Sequence, residues 1–315
     1  MKQNTPIQYR CCLLLTALIW GGAFAAQVMG MEYMGPFTYN AIRFLIGAAS
    51  LLPVILLMPS ASPPKPAPMP FWTASCCAGF LLFGGASLQQ VGLLYTTASK
   101  ASFITALYIV LVPLIGLLFG HVLRLYHAVG ALLAVAGIYL LSVNGNFQIN
   151  RGDLLVFFCA FFFTFHILLL SWLSERYDPV RLAAGQFLTA ALLNSIGFLW
   201  EPFALSMLEN GIWTILYTGI LSTGVAYTLQ VVGQKYVPPS EASMLLSMEM
   251  IFGALAGMIF LGESLTAREW AGAALTASGA FLSQLPSREI YRPSSLSAEK
   301  YLSLIGKKHL FFHYK

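Results

Sequence analysis

Residues 92–102 read GLLYTTASKAS and residues 233–243 read GQKYVPPSEAS. A shift of 141 places lays Gly92 on Gly233, Tyr95 on Tyr236, Ser99 on Ser240 and Ala101-Ser102 on Ala242-Ser243. The correspondence continues in both directions. At 143, Pro36 meets Pro179, Ala41 meets Ala184, and Phe44-Leu45 meets Phe187-Leu188. At 142, Gly120 meets Gly262, Leu123 meets Leu265, Gly130 meets Gly272, Gly137 meets Gly279, and Leu140 meets Leu282. Ala, Gly and Leu are abundant here, so a single match says little. Their order and near-constant offset imply that one unit has been duplicated.

Hydropathy says what the unit is. The chain has 315 residues, with only 17 Lys or Arg and 12 Asp or Glu, so 9% are charged. An ordinary soluble domain has about 25%. Hydrophobic residues make up 58%, and the mean hydropathy is +0.74. So few charges cannot clothe a water-facing surface of this size. That excludes a soluble enzyme, a DNA-binding domain and a disordered scaffold, and leaves a polytopic membrane protein. Ten apolar segments follow: about 11–29, 37–58, 71–95, 101–120, 123–143, 153–173, 180–200, 211–235, 241–262 and 266–285. Each is long enough to cross as a helix, which needs about 20 residues. Turn chemistry separates them, as in Met34-Gly35-Pro36, the proline-rich run from Ser60 to Pro70, Asn144-Gly145-Asn146, Asp178-Pro179 and Pro238-Pro239.

Five helices per unit is an odd number, so the second unit enters the membrane from the other side. The predicted fold is an all-α integral membrane protein of ten transmembrane helices in two inverted five-helix repeats. The repeats occupy 11–143 and 153–285, after an N-terminus at 1–10 and before a basic tail at 286–315 expected to be disordered. Inverted repeats related by a two-fold axis in the membrane plane are a recurrent design of secondary transporters, with substrate held near the midplane between the halves.

Lys and Arg placement orients the chain. With the N-terminus inside, thirteen lie on the cytoplasmic side: Lys2, Arg10, Lys65, Arg124, Arg176, Arg181, Lys235 and six in the tail. Only Lys100, Arg151 and Arg268 lie outside. Both termini are therefore expected in the cytoplasm of a multi-pass plasma-membrane protein (the inner membrane, if the source is Gram-negative). The net charge of +5 resides mostly in the tail, an ordinary positive-inside feature or a patch for anionic lipid, and not a nucleic-acid surface. Arg10 before an apolar run ending in Ala23-Phe24-Ala25 resembles a signal peptide, but the run exceeds the usual h-region. The five cysteines, Cys11, Cys12, Cys76, Cys77 and Cys159, sit in apolar stretches with no disulfide or zinc spacing. No metal or cofactor is expected.

The chain resembles the EamA-type members of the drug/metabolite transporter superfamily over about 10–285. The resemblance rests on Trp20-Gly21, Arg43-Phe44, the run from Gly92 to Ser99, Phe103, Pro113, Gly130 and Gly137 in the first unit. In the second it rests on Glu249, Gly262-Glu263, Leu265-Thr266, Gly272 and Gly279. It implies ten helices, both ends cytoplasmic, and export or exchange of small metabolites, often amino acids or related compounds. Two positions depart from the family pattern: Met250 replaces the proline that commonly follows the helix-nine glutamate, and His121 replaces an acidic residue at the turn between helices four and five.

Ionisable groups at membrane depth are costly and therefore informative. Arg43 lies about 10 Å beyond Pro36 at 1.5 Å per residue, and Glu249 lies about 12 Å into the ninth segment. His166 is mid-way along the sixth. Arg43 is either a structural cation on helix-end carbonyls or a planar fork for a substrate carboxylate. Glu249 is either a packing acid or a group that binds an amine or cycles a proton. His166 is a packing histidine or a proton relay. Asn40, Gln89, Gln90, Gln186, Asn194 and Gln230 are candidates for a cavity lining or for interhelical glue, with Gln186 the repeat counterpart of Arg43. Trp20, Tyr95, Phe103, Tyr108 and Tyr227 are candidates for aromatic walls or for packing. Gly253-xxx-Gly257 is read as seating a neighbouring helix within the monomer. Lys100 and Glu241 are read as end charges at equivalent positions.

The function expected is transport of a small-molecule substrate by alternating access, with proton coupling possible, as a monomer or homodimer. The alternatives are an uncoupled facilitator and an intramembrane enzyme. HExxH, GxSxG, Asp-rich and Walker A motifs are all missing from the sequence, which argues against the enzyme.

Overall fold

A backbone in hydrocarbon must satisfy its own hydrogen bonds, and a helix does so within one segment. In the computed structural model, which describes residues 7–57, 66–116, 125–142 and 150–282, the chain is helical, with no strand among the described residues. The first half contains α1 (Ile7–Gly30), α2 (Pro36–Ser50), α3 (Leu52–Leu57), α4 (Phe71–Gly92), α5 (Ala98–Thr105), α6 (Tyr108–Gly116) and α7 (Leu125–Ser142). The second contains α8 (Arg151–Leu173), α9 (Pro179–Phe198), α10 (Leu205–Asn210) and α11 (Ile212–Leu216). A π-helical stretch (Tyr217–Tyr227) then leads into α12 (Thr228–Gln234), α13 (Pro239–Leu246), α14 (Glu249–Leu261) and α15 (Ala267–Leu282).

Seven helical stretches are long and apolar enough to cross a membrane: Ile7–Gly30, Pro36–Leu57, Phe71–Gly92, Ala98–Gly116, Arg151–Leu173, Ile212–Gln234 and Pro239–Leu261. A shorter apolar helix lies at Ala128–Leu141. The polar side chains Arg181, Gln186 and Asn194 dilute α9, and α15 has only 16 residues. His121, residues 143–149, the tail and residues 1–6 fall outside the described residues, as does most of the proline-rich run.

Four of the continuous segments expected from hydropathy are interrupted, the second segment at Leu51 between α2 and α3. The fourth breaks at Ala106-Leu107 between α5 and α6, and the ninth at Ser247-Met248 between α13 and α14. These breaks are equivalent at the offset of 141. In each, a serine turns back on the last full turn: Ser102 Oγ donates to Ser99 O at 2.8 Å, and Ser243 Oγ to Ser240 O at 2.9 Å. Such bonds compete with the helical ladder and bend it. Helix nine thus breaks without the family proline. The eighth segment widens into a π-helix, and donors from α1 reach its carbonyls: Trp20 Nε1 to Ser222 O at 3.1 Å and Thr16 Oγ1 to Ala226 O at 3.0 Å. Side chains that enter the ladder in this way relieve the cost of the wider turn.

The packing interleaves the halves. α1 lies on the π stretch and α12, as α8 lies on α4; α1 lies on α14, as α8 lies on α5 and α6; α2 lies on the π stretch, as α9 lies on α4. The remaining large contacts join equivalent segments: α2 with α9, α5 of the fourth segment with α14 of the ninth, and α7 with α15. In the last pair a Cβ added to Gly272 would sit 2.6 Å from Gly137 O, and one on Gly279 would sit 2.5 Å from Gly130 O. Gly130 thus meets the counterpart of Gly137, and Gly137 meets the counterpart of Gly130, so the helices cross antiparallel. Gly253 and Gly257 face Ser102 and Ser99 of α5, seating that helix within the chain.

Carboxylates fasten several helix starts. Glu201 accepts from Phe37 N at 3.0 Å and from Thr38 N and Thr38 Oγ1 at 2.7 Å, capping α2. Glu263 follows Gly262, whose φ of 65° ends α14 in the left-handed region that glycine favours. It accepts from Ala98 N at 2.7 Å, Ser99 N at 2.8 Å and Ser99 Oγ at 2.6 Å, capping α5. Lys100 pairs with Glu269 at 2.6 Å, and Glu241 with Arg10 at 2.5 Å.

Candidate functional site

Where the two halves meet, a cavity of about 30 Å³ is lined by side chains of α1, α2, α4, α6, α8, the π stretch, α12 and α14. That volume holds one or two water-sized groups, far less than the several hundred Å³ of a ligand-filled site. The conformation is therefore a contracted one.

Most of the wall consists of repeat-equivalent positions. Offsets of 143 and 141 relate Trp20 to Phe163, Ala23 to His166, Phe24 to Ile167, Gln89 to Gln230 and Tyr108 to Glu249, and all ten line the cavity. Tyr108 and Glu249 are the first residues of α6 and α14, just past the two breaks, so interrupted backbone puts both side chains at the centre.

Arg43 and Glu249, each 3% exposed, both line the cavity. No ion pair forms between them, nor between either and any other described residue. Arg43 Nε donates to Asn40 Oδ1 at 2.8 Å, and the guanidinium carbon lies 4.8 Å from the centre of the Phe44 ring. Asn40 is held in turn by Ala86 O at 3.3 Å from its Nδ2. This aims the fork and leaves its terminal nitrogens for the cavity. Glu249 and the Tyr108 hydroxyl are electrostatic neighbours, but neither Glu249 Oε1 nor Tyr108 Oη has a hydrogen-bond partner of good geometry.

His166 also faces the cavity, its Nε2 2.8 Å from Gln186 Oε1 and its ring edge-on to Tyr227 at 6.2 Å. Gln186 stands behind it rather than in the wall. Trp20 and Tyr227 form an aromatic corner, with centroids 4.5 Å apart. Arg43, Glu249, His166 and Trp20 are thus brought together, with Asn40 and Gln186 as their supports.

Four other candidates lie elsewhere. Gln90 is buried next to Gln89 but outside the wall, with no partner for its side-chain nitrogen or oxygen. Tyr95 is 46% exposed beyond the end of α4 and stacks under Arg151 at 5.1 Å, so it is no cavity wall. Phe103 is core, and Asn194 ties α9 to α4 by accepting from Ser87 Oγ at 3.0 Å. Gln27, Ser222 and Phe163 were missed. Carrying the 143 offset on from Trp20 would have found Phe163, and Gln27 carries the same mark as the other glutamines within apolar segments; no sequence signal marks Ser222.

Comparison with known proteins gives a consistent result. A model described as the EamA-like transporter family matches residues 9–143 and again 150–285. An uncharacterized transporter of Archaeoglobus fulgidus is 34% identical over 84% of this chain and 81% of its own. A WAT1-related chloroplastic protein of Arabidopsis thaliana is 25% identical over 87% of this chain and 69% of its own. The threonine/homoserine exporter RhtA of Escherichia coli is 33% identical over 97 residues, 30% of this chain and 31% of that one. One solved crystal structure of a protein superposes with a TM-score of 0.65 at 20% identity, covering 86% of this chain and 94% of the other, which is a likeness of fold.

Proposed function

The chain belongs to the EamA-like transporter family of the drug/metabolite transporter superfamily, with the domain present twice, and from that premise we propose that it is a secondary transporter exporting or exchanging small metabolites such as amino acids. It is a multi-pass membrane protein. The observation that carries the proposal is an arginine and a glutamate, Arg43 and Glu249, buried in one cavity between the repeats without an ion pair among the described residues. Ionisable groups buried at such cost make sense where a ligand completes them. Arg43 takes a carboxylate in its fork, Trp20 and Tyr227 flank the apolar part, and Glu249 takes an amine or a proton.

Alternating access follows from ten crossings in two inverted five-helix repeats, with both termini cytoplasmic in the plasma membrane. The mirrored contacts and the antiparallel crossing of α7 and α15 support a two-fold axis perpendicular to the helices. The broken helices support a binding site at the midplane. Opening on one side enlarges the contracted cavity, and the equivalent motion of the other half opens it oppositely.

The test is transport by the purified protein in proteoliposomes, against a panel of amino acids that includes L-threonine and L-homoserine, with and without a pH gradient. Saturable counterflow of a panel member supports the reading; no counterflow of any member contradicts it. Labelling of a cysteine at Lys65 from outside would overturn the orientation.

A further inference from the structure

The cavity contains more hydrogen-bond acceptors than its own donors use. Gln27 Oε1, Gln230 Oε1 and Glu249 Oε1 are all buried, all belong to residues lining this cavity, and none has a hydrogen-bond partner of good geometry; the Tyr108 hydroxyl lies beside Glu249 as its electrostatic neighbour. Buried polar groups are normally satisfied, and a cluster that is not calls for a missing partner. Gln27 Nε2 donates to Ala23 O at 3.0 Å, and this fixes which end of that amide faces inward as its oxygen. The one strong cation of the site, Arg43, is turned by Asn40.

A group that satisfies several oxygens at once within one or two water volumes is small, donor-rich and cationic. A primary ammonium carries three donors on one atom, and the nearby faces of Trp20 and Tyr227 favour a positive charge. We infer that Glu249, Gln27 and Gln230 form a subsite for a primary ammonium group and set the transporter's selectivity for amines over their hydroxy analogues. The inference rests on the proposed carboxylate capture by Arg43 and deepens it. It assigns Gln27 and Gln230 the role of specificity determinants and makes the preferred substrate one that bears both groups. A hydroxyl in place of the ammonium has one donor and no charge, so it leaves acceptors unmet. A trimethylated nitrogen has no donor at all.

The experiment measures binding to the full-length protein in lipid nanodiscs by thermal stabilisation. Two matched pairs are the probes: L-threonine with 2,3-dihydroxybutyrate, and L-phenylalanine with 3-phenyllactate. The expected result is that the amino member of at least one pair binds about 100-fold or more tightly than its hydroxy partner. Gln27→Leu and Gln230→Leu are each expected to reduce that ratio about tenfold, lowering amino-acid affinity more than hydroxy-acid affinity. Equal binding of both members, with both lost in Arg43→Gln, overturns the ammonium subsite and leaves the carboxylate reading standing. If Glu249→Gln leaves the ratio unchanged in nanodiscs and alters only the response of proteoliposome transport to a pH gradient, Glu249 handles a proton and the subsite is likewise overturned. If none of the four probes binds and no panel member is transported, the parent reading falls and takes the subsite with it.

Discussion

The two halves of the cavity occupy equivalent positions and carry different chemistry. On the scaffold side the match is close: breaks at Ala106-Leu107 and Ser247-Met248, glutamines at Gln89 and Gln230, aromatics at Trp20 and Phe163, and the reciprocal glycine contacts of α7 and α15. On the chemical side it fails. Arg43 is matched by Gln186, Glu249 by Tyr108, and His166 by Ala23. Even the helix beside the site differs: α4 is a regular α-helix, while its counterpart contains the π stretch that presents Ser222 and Tyr227. Symmetric packing suits two interconvertible states, whereas a substrate with unlike ends needs unlike groups. Duplication supplied the first and divergence the second.

Substitutions at equivalent positions sharpen this contrast. The largest expected difference lies between Arg43 and Gln186. Arg43→Gln should lower kcat/KM for transport about 100-fold or more, since it removes a buried, charge-assisted contact worth about 2–5 kcal/mol. Gln186→Leu touches the site only through His166 and should cost less than about tenfold. Initial rates in proteoliposomes over a range of concentrations would check both. Next comes Glu249→Gln against Tyr108→Phe: loss of the ionisable carboxyl should reduce transport at least tenfold, and loss of the hydroxyl only a few-fold. Equal effects within either pair would mean that the asymmetry is incidental.

The scaffold predicts the opposite, namely equal costs. A Cβ on Gly137 would lie 2.6 Å from Gly272 O, and one on Gly279 would lie 2.5 Å from Gly130 O. Gly137→Leu and Gly279→Leu should each cost about 1–3 kcal/mol by overpacking, lowering Tm by about 3–10 °C. Their values should agree within about 2 °C by thermal unfolding in detergent. A large disparity would break the structural equivalence. The smallest effects are expected at the ends. Lys100→Ala and Arg10→Ala each remove a partly exposed ion pair worth about 0.2–1 kcal/mol, so Tm should move by less than about 3 °C.

Much of this was legible in the sequence. Hydropathy and the offset near 142 gave membrane class and duplication, because apolar length and register are properties of the chain itself. Arg43, Glu249 and His166 were conspicuous because charge is scarce at that depth. Facing was not legible. Gln89 and Gln90 are chemically identical neighbours, yet about 100° of helical rotation puts one in the wall and the other outside it. Tyr95 looked like an aromatic wall and lies past the helix end, over which Arg151 folds. The helix breaks carry no proline or glycine at Ala106-Leu107 or Ser247-Met248; they depend on serine back-bonding and tertiary packing. Gln27 is marked only as the other membrane glutamines are, and its unfilled acceptor is revealed by the assembled cavity alone.

The central claim is that the cavity between the repeats is where substrate crosses. Counterflow of a radiolabelled panel substrate in proteoliposomes tests it most directly, comparing wild type, Arg43→Gln, Glu249→Gln and, outside the cavity, Tyr95→Ala at matched protein density. The account predicts that the first two variants lose counterflow at every concentration while Tyr95→Ala stays within about twofold of wild type. Wild-type counterflow in both Arg43→Gln and Glu249→Gln would contradict it.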